Sequence, residues 1–69
     1  MTALKRIRKQ KGFYTQASLS EASGVYCQTI NLYENRKKVA RKANMCAIAY
    51  VLGVKYTEIF GDDGLVKND

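Results

Sequence analysis

The sequence contains no proline, no histidine and no tryptophan, and only two cysteines among its 69 residues. General acid–base and nucleophilic catalysis therefore lack their usual groups, and we expect the protein not to be an enzyme. Two cysteines without histidine supply too few ligands for zinc, so we expect no metal or other cofactor, and Cys27 and Cys46 as free thiols. No apolar run approaches the roughly 18 residues of a membrane helix, and no signal peptide opens the chain. These absences predict a cytoplasmic protein without a membrane partner or a small-molecule ligand.

Acidic residues are scarce and unevenly distributed. Residues 1–57 carry eleven lysines and arginines against two acids, whereas residues 58–69 carry one lysine against four acids, and the net charge is +6. The long basic part suits a polyanion, and the short acidic part does not. Charge alone leaves three interpretations open: a nucleic-acid partner, an anionic membrane under the basic first helix, and an ordinary solvated face.

Hydrophobic spacing predicts one small all-α domain over residues 1–61, followed by an acidic tail over residues 62–69. Thr2 and Thr15 suit the N-caps of the first two helices, because a short hydroxyl side chain can accept from a free backbone N–H. The predicted helical segments are residues 3–11 and 16–23, a run that begins after three more residues beyond Gly24 and ends at Asn35, residues 42–52, and a short turn at 56–60.

The same spacing assigns residues to the interior. Leu19, Val25, Ile30 and Tyr33 are predicted core residues, and Cys46 is predicted to point inward from the fourth helix. Phe13 and Tyr14 are expected to fold inward over the first two helices. The tail contains two glycines and three aspartates from residue 61 onward, which predicts a frayed or edge segment. Its apolar residues Leu65 and Val66 are expected either to fold back over Phe60 or to pack on another subunit.

The third helix carries the sharpest signal. With Ile30 at the buried centre and about 100° per residue, Tyr26, Cys27, Tyr33 and Glu34 line or flank the buried side. Gln28, Asn31, Leu32 and Asn35 fall on the opposite arc. A solvated helix face more often carries Glu and Lys, whereas amides pair with adenine and apolar groups touch the thymine methyl. This arc therefore favours contact with DNA bases.

Helix, glycine turn and second helix, followed by the segment GVYCQTINLYEN at residues 24–35, resemble the helix-turn-helix of the phage repressor and Cro family. The segments LKRIRKQKG at residues 4–12 and AIAYVLGVKYTEIF at residues 47–60 are similar to the family's first, fourth and fifth helices. The resemblance covers residues 3–60 and implies a compact five-helix domain. It further implies a Cro-like phage or prophage repressor, acting on the nucleoid in the cytoplasm of a bacterial host.

The resemblance implies roles for individual residues. Third-helix residues are expected to contact bases, with Gln28 and Asn31 as hydrogen-bonding readers and Tyr26, Cys27 and Leu32 as apolar or shape contacts. The residues expected at the DNA phosphates are Gln16, Lys37, Lys42, Arg8, Asn35, Arg36 and Lys38. The family pairs a first-helix arginine with a glutamate, which implies an Arg8–Glu34 ion pair. It generally has glycine where Arg36 stands, so we expect the third helix to end on Asn35 in the left-handed conformation.

A homodimer is also implied, because two third helices then enter successive major grooves of a palindromic operator. Short members of the family often dimerise weakly, some only on DNA. The surface expected for this contact comprises Tyr56, Ile59, Phe60, Leu65 and Val66. The short acidic tail favours a complete Cro-like protein over the N-terminal part of a longer repressor.

Two other functions stay open. Some proteins with this fold are antitoxins or antirepressors whose main partner is a protein, and Tyr26 with an exposed Leu32 would suit that role. Nonspecific coating of RNA or DNA is the other, but it does not require the uncharged arc of the third helix.

Overall fold

The computed structural model describes residues 1–69 and contains α-helices, one 3-10 turn and no β-sheet. The predicted all-α class is therefore confirmed. In place of the fifth predicted helix the chain forms a single 3-10 turn, Tyr56–Glu58. None of the helices combines the length and the apolar character needed to cross a bilayer. The four helices are α1 (Ala3–Gln10), α2 (Gln16–Ser23), α3 (Cys27–Glu34) and α4 (Lys42–Leu52).

Capping residues explain the bounds of α2. The Thr15 hydroxyl accepts from the Ser18 backbone N–H at 3.1 Å, and Gly24 ends the helix with a left-handed φ of 78°. Three residues, 24–26, then turn the chain into α3, so that α2 and α3 pack against each other. Thr2 precedes α1, but its hydroxyl donates to the Glu34 carbonyl oxygen at 2.9 Å instead of capping α1.

One hydrophobic core joins the four helices and the 3-10 turn. The inner side of α4 packs on α2 and on the turn. Leu19, Val25, Ile30 and Tyr33 are buried as the sequence predicts. The core residues are Ala3, Leu4, Ile7, Leu19, Val25, Ile30, Tyr33, Ala40, Met45, Ile48, Leu52, Ile59, Phe60 and Val66.

Two of the predicted inward side chains point outward. Cys46 is exposed, because it lies two residues from the buried Ile48 and therefore about 200° around α4. Tyr14 is 74% exposed in the connection before α2, and only Phe13 packs against the core.

The tail is docked, so the expectation of a frayed segment is wrong. Val66 is fully buried and forms a backbone bridge with Phe60. Of the two predicted alternatives, folding back over Phe60 is therefore the one that the structure shows. The Lys67 N–H donates to the Ile59 carbonyl at 2.8 Å, and the Lys67 carbonyl accepts from the Ala3 N–H at 2.9 Å. These backbone bonds hold the tail between the 3-10 turn and the start of α1.

Candidate nucleic-acid interface

Arg8 and Glu34 form a buried ion pair between α1 and the end of α3. The Arg8 Nε donates to Glu34 Oε2 at 2.7 Å, and a terminal guanidinium nitrogen donates to the Phe13 carbonyl at 2.7 Å. The side chains are only 4% and 3% exposed. Arg8 was also expected at the DNA phosphates. That expectation is wrong, because its guanidinium is enclosed and already bonded inside the protein.

A chain of hydrogen bonds leads from this ion pair to the surface of α3. The Gln16 amide nitrogen donates to Glu34 Oε1 at 3.0 Å, and the Gln16 amide oxygen accepts from Asn31 Nδ2 at 3.3 Å. Asn35 Nδ2 then donates to the Asn31 carbonyl at 2.9 Å. The buried carboxylate therefore orients Gln16, and Gln16 in turn orients Asn31. Gln16 was expected to contact a DNA phosphate; it is half-buried, and its amide links Glu34 to Asn31.

The outer side of α3 presents an uncharged surface. Cys27, Gln28 and Asn31 are exposed, and with Gln16 and the half-buried Leu32 they line one open groove. We call these five residues the α3 face. The structure thus brings together four of the five residues expected to read bases. Leu32 is less exposed than its place on the outer arc predicts.

Tyr26 lies beside this face and not within it. It precedes the first residue of α3 with φ −55° and ψ 139°, and its side chain is 82% exposed. The helical spacing that placed it near the buried side does not apply to a residue outside the helix. Cys27, also expected to flank the buried side, is exposed at the first helical position.

Basic residues border the α3 face on both sides. On one side, Lys38 and Arg41 line a groove with Tyr26. On the other side, Lys5 and Arg36 line a groove with Asn31, Asn35 and Gln16, among other residues. Lys5 was not among the expected contacts, although its position on the charged side of α1 could have indicated it. The arrangement places positive charge around an uncharged helix surface.

Lys37 and Lys42 are exposed in the basic segment that follows α3. The neighbouring Tyr56 side chain raises the pKa of Lys42 above its ordinary value. The Lys42 ammonium nitrogen lies 4.5 Å from the centroid of the Tyr56 ring, which is a cation–π geometry. Lys42 is therefore held against the 3-10 turn, whereas no side-chain bond restrains Lys37.

Arg36, and not Asn35, adopts the left-handed conformation at the end of α3. Its φ is 55°, whereas Asn35 has φ −95°, so the expectation for Asn35 is wrong. The Lys37 N–H donates to the Leu32 carbonyl at 2.9 Å, as in a Schellman motif. Arg36 Nε donates to the Val66 carbonyl at 2.9 Å, and this bond helps to hold a conformation that usually requires glycine. Part of the Arg36 guanidinium is thus occupied by the tail.

Three of the five residues expected at a dimer contact are core residues. Ile59, Phe60 and Val66 are each at most 2% exposed, because the docked tail and the 3-10 turn cover one another. Assigning them to a surface contact is therefore wrong. Tyr56 and Leu65 are half-buried. Comparisons of this chain with protein-family models, with curated proteins and with solved structures found no match.

Proposed function

We propose that this chain is a sequence-specific regulator of transcription that binds double-stranded DNA, and that α2 and α3 form a DNA-binding helix-turn-helix. The observation that carries the proposal is the uncharged α3 face, bordered on both sides by lysines and arginines. In this proposal α3 enters the major groove as the recognition helix. We propose a Cro-like phage repressor as its form, on the resemblance of residues 3–60 alone.

The chemistry of the α3 face suits base edges better than water. The major groove is about 12 Å wide and admits one α-helix, and each base pair presents a distinct pattern of donors and acceptors there. Gln28 is exposed and makes no hydrogen bond within the protein, so its amide is free to pair with a base. Cys27 and Leu32 offer apolar contact to thymine methyl groups.

The borders of the α3 face suit the phosphates on either side of the groove. Lys38 and Arg41 stand on one side, and Lys5 and Arg36 on the other. Such contacts fix the orientation of a protein on the duplex and supply affinity without reading sequence. One recognition helix reads few base pairs, so we further propose a homodimer on a palindromic operator, with half-sites about 34 Å apart.

A protein-binding role, as an antitoxin or antirepressor, is the second candidate. It is favoured by Tyr26, whose large side chain is 82% exposed beside the α3 face. Tyrosine is enriched at protein interfaces. A partner protein does not require basic residues on both sides of α3, and for that reason we rank this role second.

Selection of bound duplexes from a random library, at about physiological ionic strength, tests the proposal. We expect enrichment of a palindrome whose half-sites are about 10 base pairs apart, centre to centre. Recovery of unrelated sequences would contradict a sequence-specific regulator and favour nonspecific coating. If no duplex is retained, the protein-binding role becomes the better explanation.

Gln28→Ala tests the assignment of a reader. We expect it to weaken binding to the selected operator by about 1–3 kcal/mol per half-site and to leave binding to random DNA nearly unchanged. Titration of labelled duplexes gives both affinities. The matched control is Gln10→Ala, which removes an exposed glutamine from α1, away from the α3 face. An equal loss on operator and random DNA would show that Gln28 does not read sequence.

A further inference from the structure

The outer side of α4 is exposed, and from Ala43 onward it is uncharged; Lys42, the first residue of α4, lies at its edge with its ammonium over the Tyr56 ring. Ala43, Cys46, Tyr50 and Gly53 form this side, and all four are exposed. We call them the α4 face. No charged residue occurs between Lys42 and Lys55. Tyr50 is 88% exposed, more than any other large hydrophobic side chain of the protein.

This face distinguishes α4 from α1. The outer side of α1 carries Lys5, Arg6 and Lys9, whereas α4 is apolar on its inner side and, beyond Lys42, uncharged on its outer side. A helix that is hydrophobic all round is normally buried on all sides. Only the inner side of α4 is covered within one copy of the chain, so its outer side is expected to have a partner.

We propose that the partner is a second copy of this chain, packed through the same face. The chain carries a net charge of +6, so two copies repel each other wherever their basic surfaces meet. Two helical surfaces carry no charge, the α3 face and the α4 face. Because the proposed function assigns the α3 face to DNA, the α4 face is the one on which two copies can touch without opposing like charges. A two-fold axis lets one surface serve both partners. The inference deepens the proposed function by locating its dimer contact, but the contact itself does not depend on DNA.

The position of Cys46 gives the contact a defined geometry. Cys46 lies near the middle of α4, whose bounds are Lys42–Leu52. When two α4 helices pack antiparallel about a two-fold axis, Tyr50 of each copy lies over Ala43 of the other, and the two Cys46 residues face each other. Helix axes about 8–10 Å apart and a Cα radius of about 2.3 Å bring facing Cα atoms to roughly 3.4–5.4 Å. The upper part of that range overlaps the separation of about 4.4–6.8 Å that a disulfide bridges.

The contact is weak by its size and by the charges at its ends. An 11-residue helix is about 16 Å long. One face of it buries well under the ~800 Å² per partner of a standard interface. Arg41 precedes α4, Lys42 is its first residue and Lys55 follows it, so positive charges at both ends oppose association. DNA would screen these charges, and the dimer is therefore strengthened on an operator.

Oxidative cross-linking tests the contact in the full chain. Two thiols lose two electrons and two protons to diamide, which becomes the hydrazine, and a disulfide forms. At high protein concentration without DNA, we expect a covalent dimer linked Cys46 to Cys46. Cys27→Ser should retain this dimer and Cys46→Ser should lose it. Cys27 is the internal control, because it is exposed as well but lies on α3.

Equal cross-linking through Cys27 would overturn the proposal, because it would indicate random collisions, and so would the absence of any covalent dimer. Tyr50→Glu in the Cys27→Ser background should slow dimer formation, since it places a charge in the contact. Tyr14→Glu is the matched control, because Tyr14 is 74% exposed outside α4. Equal rates for the two variants would also overturn the proposal. A Cys46 dimer that selects no DNA sequence would contradict the proposed function and leave the dimer contact intact.

Discussion

Arg6 and Arg8 stand two residues apart in α1 and form the two ion pairs of the molecule in opposite settings. Arg8 meets Glu34 in the interior, whereas Arg6 meets Asp69 at 2.9 Å with side chains that are 43% and 28% exposed. An exposed pair gains little because water and salt screen it. In a buried pair each charge depends on its partner, because neither can return to water.

The two pairs also differ in what they connect. The Arg8 pair joins α1 to α3 and continues through Gln16 to Asn31 on the α3 face. The Arg6 pair joins α1 to the last residue of the tail, which is already held by backbone bonds and by the buried Val66. We therefore expect the Arg8–Glu34 pair to determine the geometry of the proposed binding surface. We expect the buried Val66, and not the exposed Arg6–Asp69 pair, to hold the tail in place.

The largest effect is expected for Arg8→Met. Glu34 would stay buried without its cation, which typically costs about 3–5 kcal/mol of folding free energy. That is a large part of the stability of a chain this short. Urea unfolding followed by circular dichroism measures the loss.

The double variant Arg8→Met/Glu34→Leu keeps this prediction testable if the single variant does not fold. It removes both charges, so much of the lost stability should return. The ion pair would not be the cause if the double variant is as unstable as the single one, or if Arg8→Met alone costs under about 1 kcal/mol.

An intermediate effect is expected for Val66→Ala, which weakens the anchor of the tail. Two buried methyl groups at about 0.8 kcal/mol each, plus the cavity left behind, predict a loss of roughly 2 kcal/mol. Hydrogen exchange of the Lys67 amide should accelerate as well, because its bond to Ile59 depends on the docked tail. The control Val39→Ala removes the same atoms from a side chain that is 61% exposed. Equal losses for the two variants would mean that Val66 is not an anchor.

The smallest effect is expected for Arg6→Ala. Its exposed pair with Asp69 should contribute less than about 1 kcal/mol, and this difference should vanish in high salt. Lys5→Ala is the control, because Lys5 is exposed one position earlier in α1 and forms no ion pair. The free energy of unfolding of both variants, measured at low and at high ionic strength, gives the contribution of the Arg6–Asp69 pair. A salt-independent loss of several kcal/mol would contradict the contrast between Arg6 and Arg8.

Local signals made the helical part of the fold predictable. Thr15 and Gly24 bound α2 because a capping hydroxyl and a left-handed glycine act within a few residues of the helix end. The spacing around Ile30 identified the buried side of α3 for the same reason. The amides of the α3 face could therefore be named from the sequence, although their links to Glu34 could not.

Contacts between distant residues explain what the sequence did not reveal. The sequence left two places open for Val66, over Phe60 or on another subunit, and its burial is decided by the bridge to Phe60 and by backbone bonds between the tail and the start of α1. Arg36, and not Asn35, adopts the left-handed backbone conformation, and its side chain donates to the Val66 carbonyl, 30 residues away. The α4 face does not follow from hydrophobic spacing, because spacing identifies the buried side of a helix and carries no information about a partner for the opposite side.

The docked tail places the C-terminus of the polypeptide next to its N-terminus. The Asp69 N–H donates to the Met1 carbonyl at 3.1 Å, and Thr2 and Asn68 form a bridge, so the two ends lie side by side. They lie along the groove that also contains Lys5 and Asn35. A fusion partner attached at either end would therefore emerge beside α3. A short peptide joining the ends would yield a circular protein whose unfolded state has less conformational entropy, and which should unfold at a higher temperature.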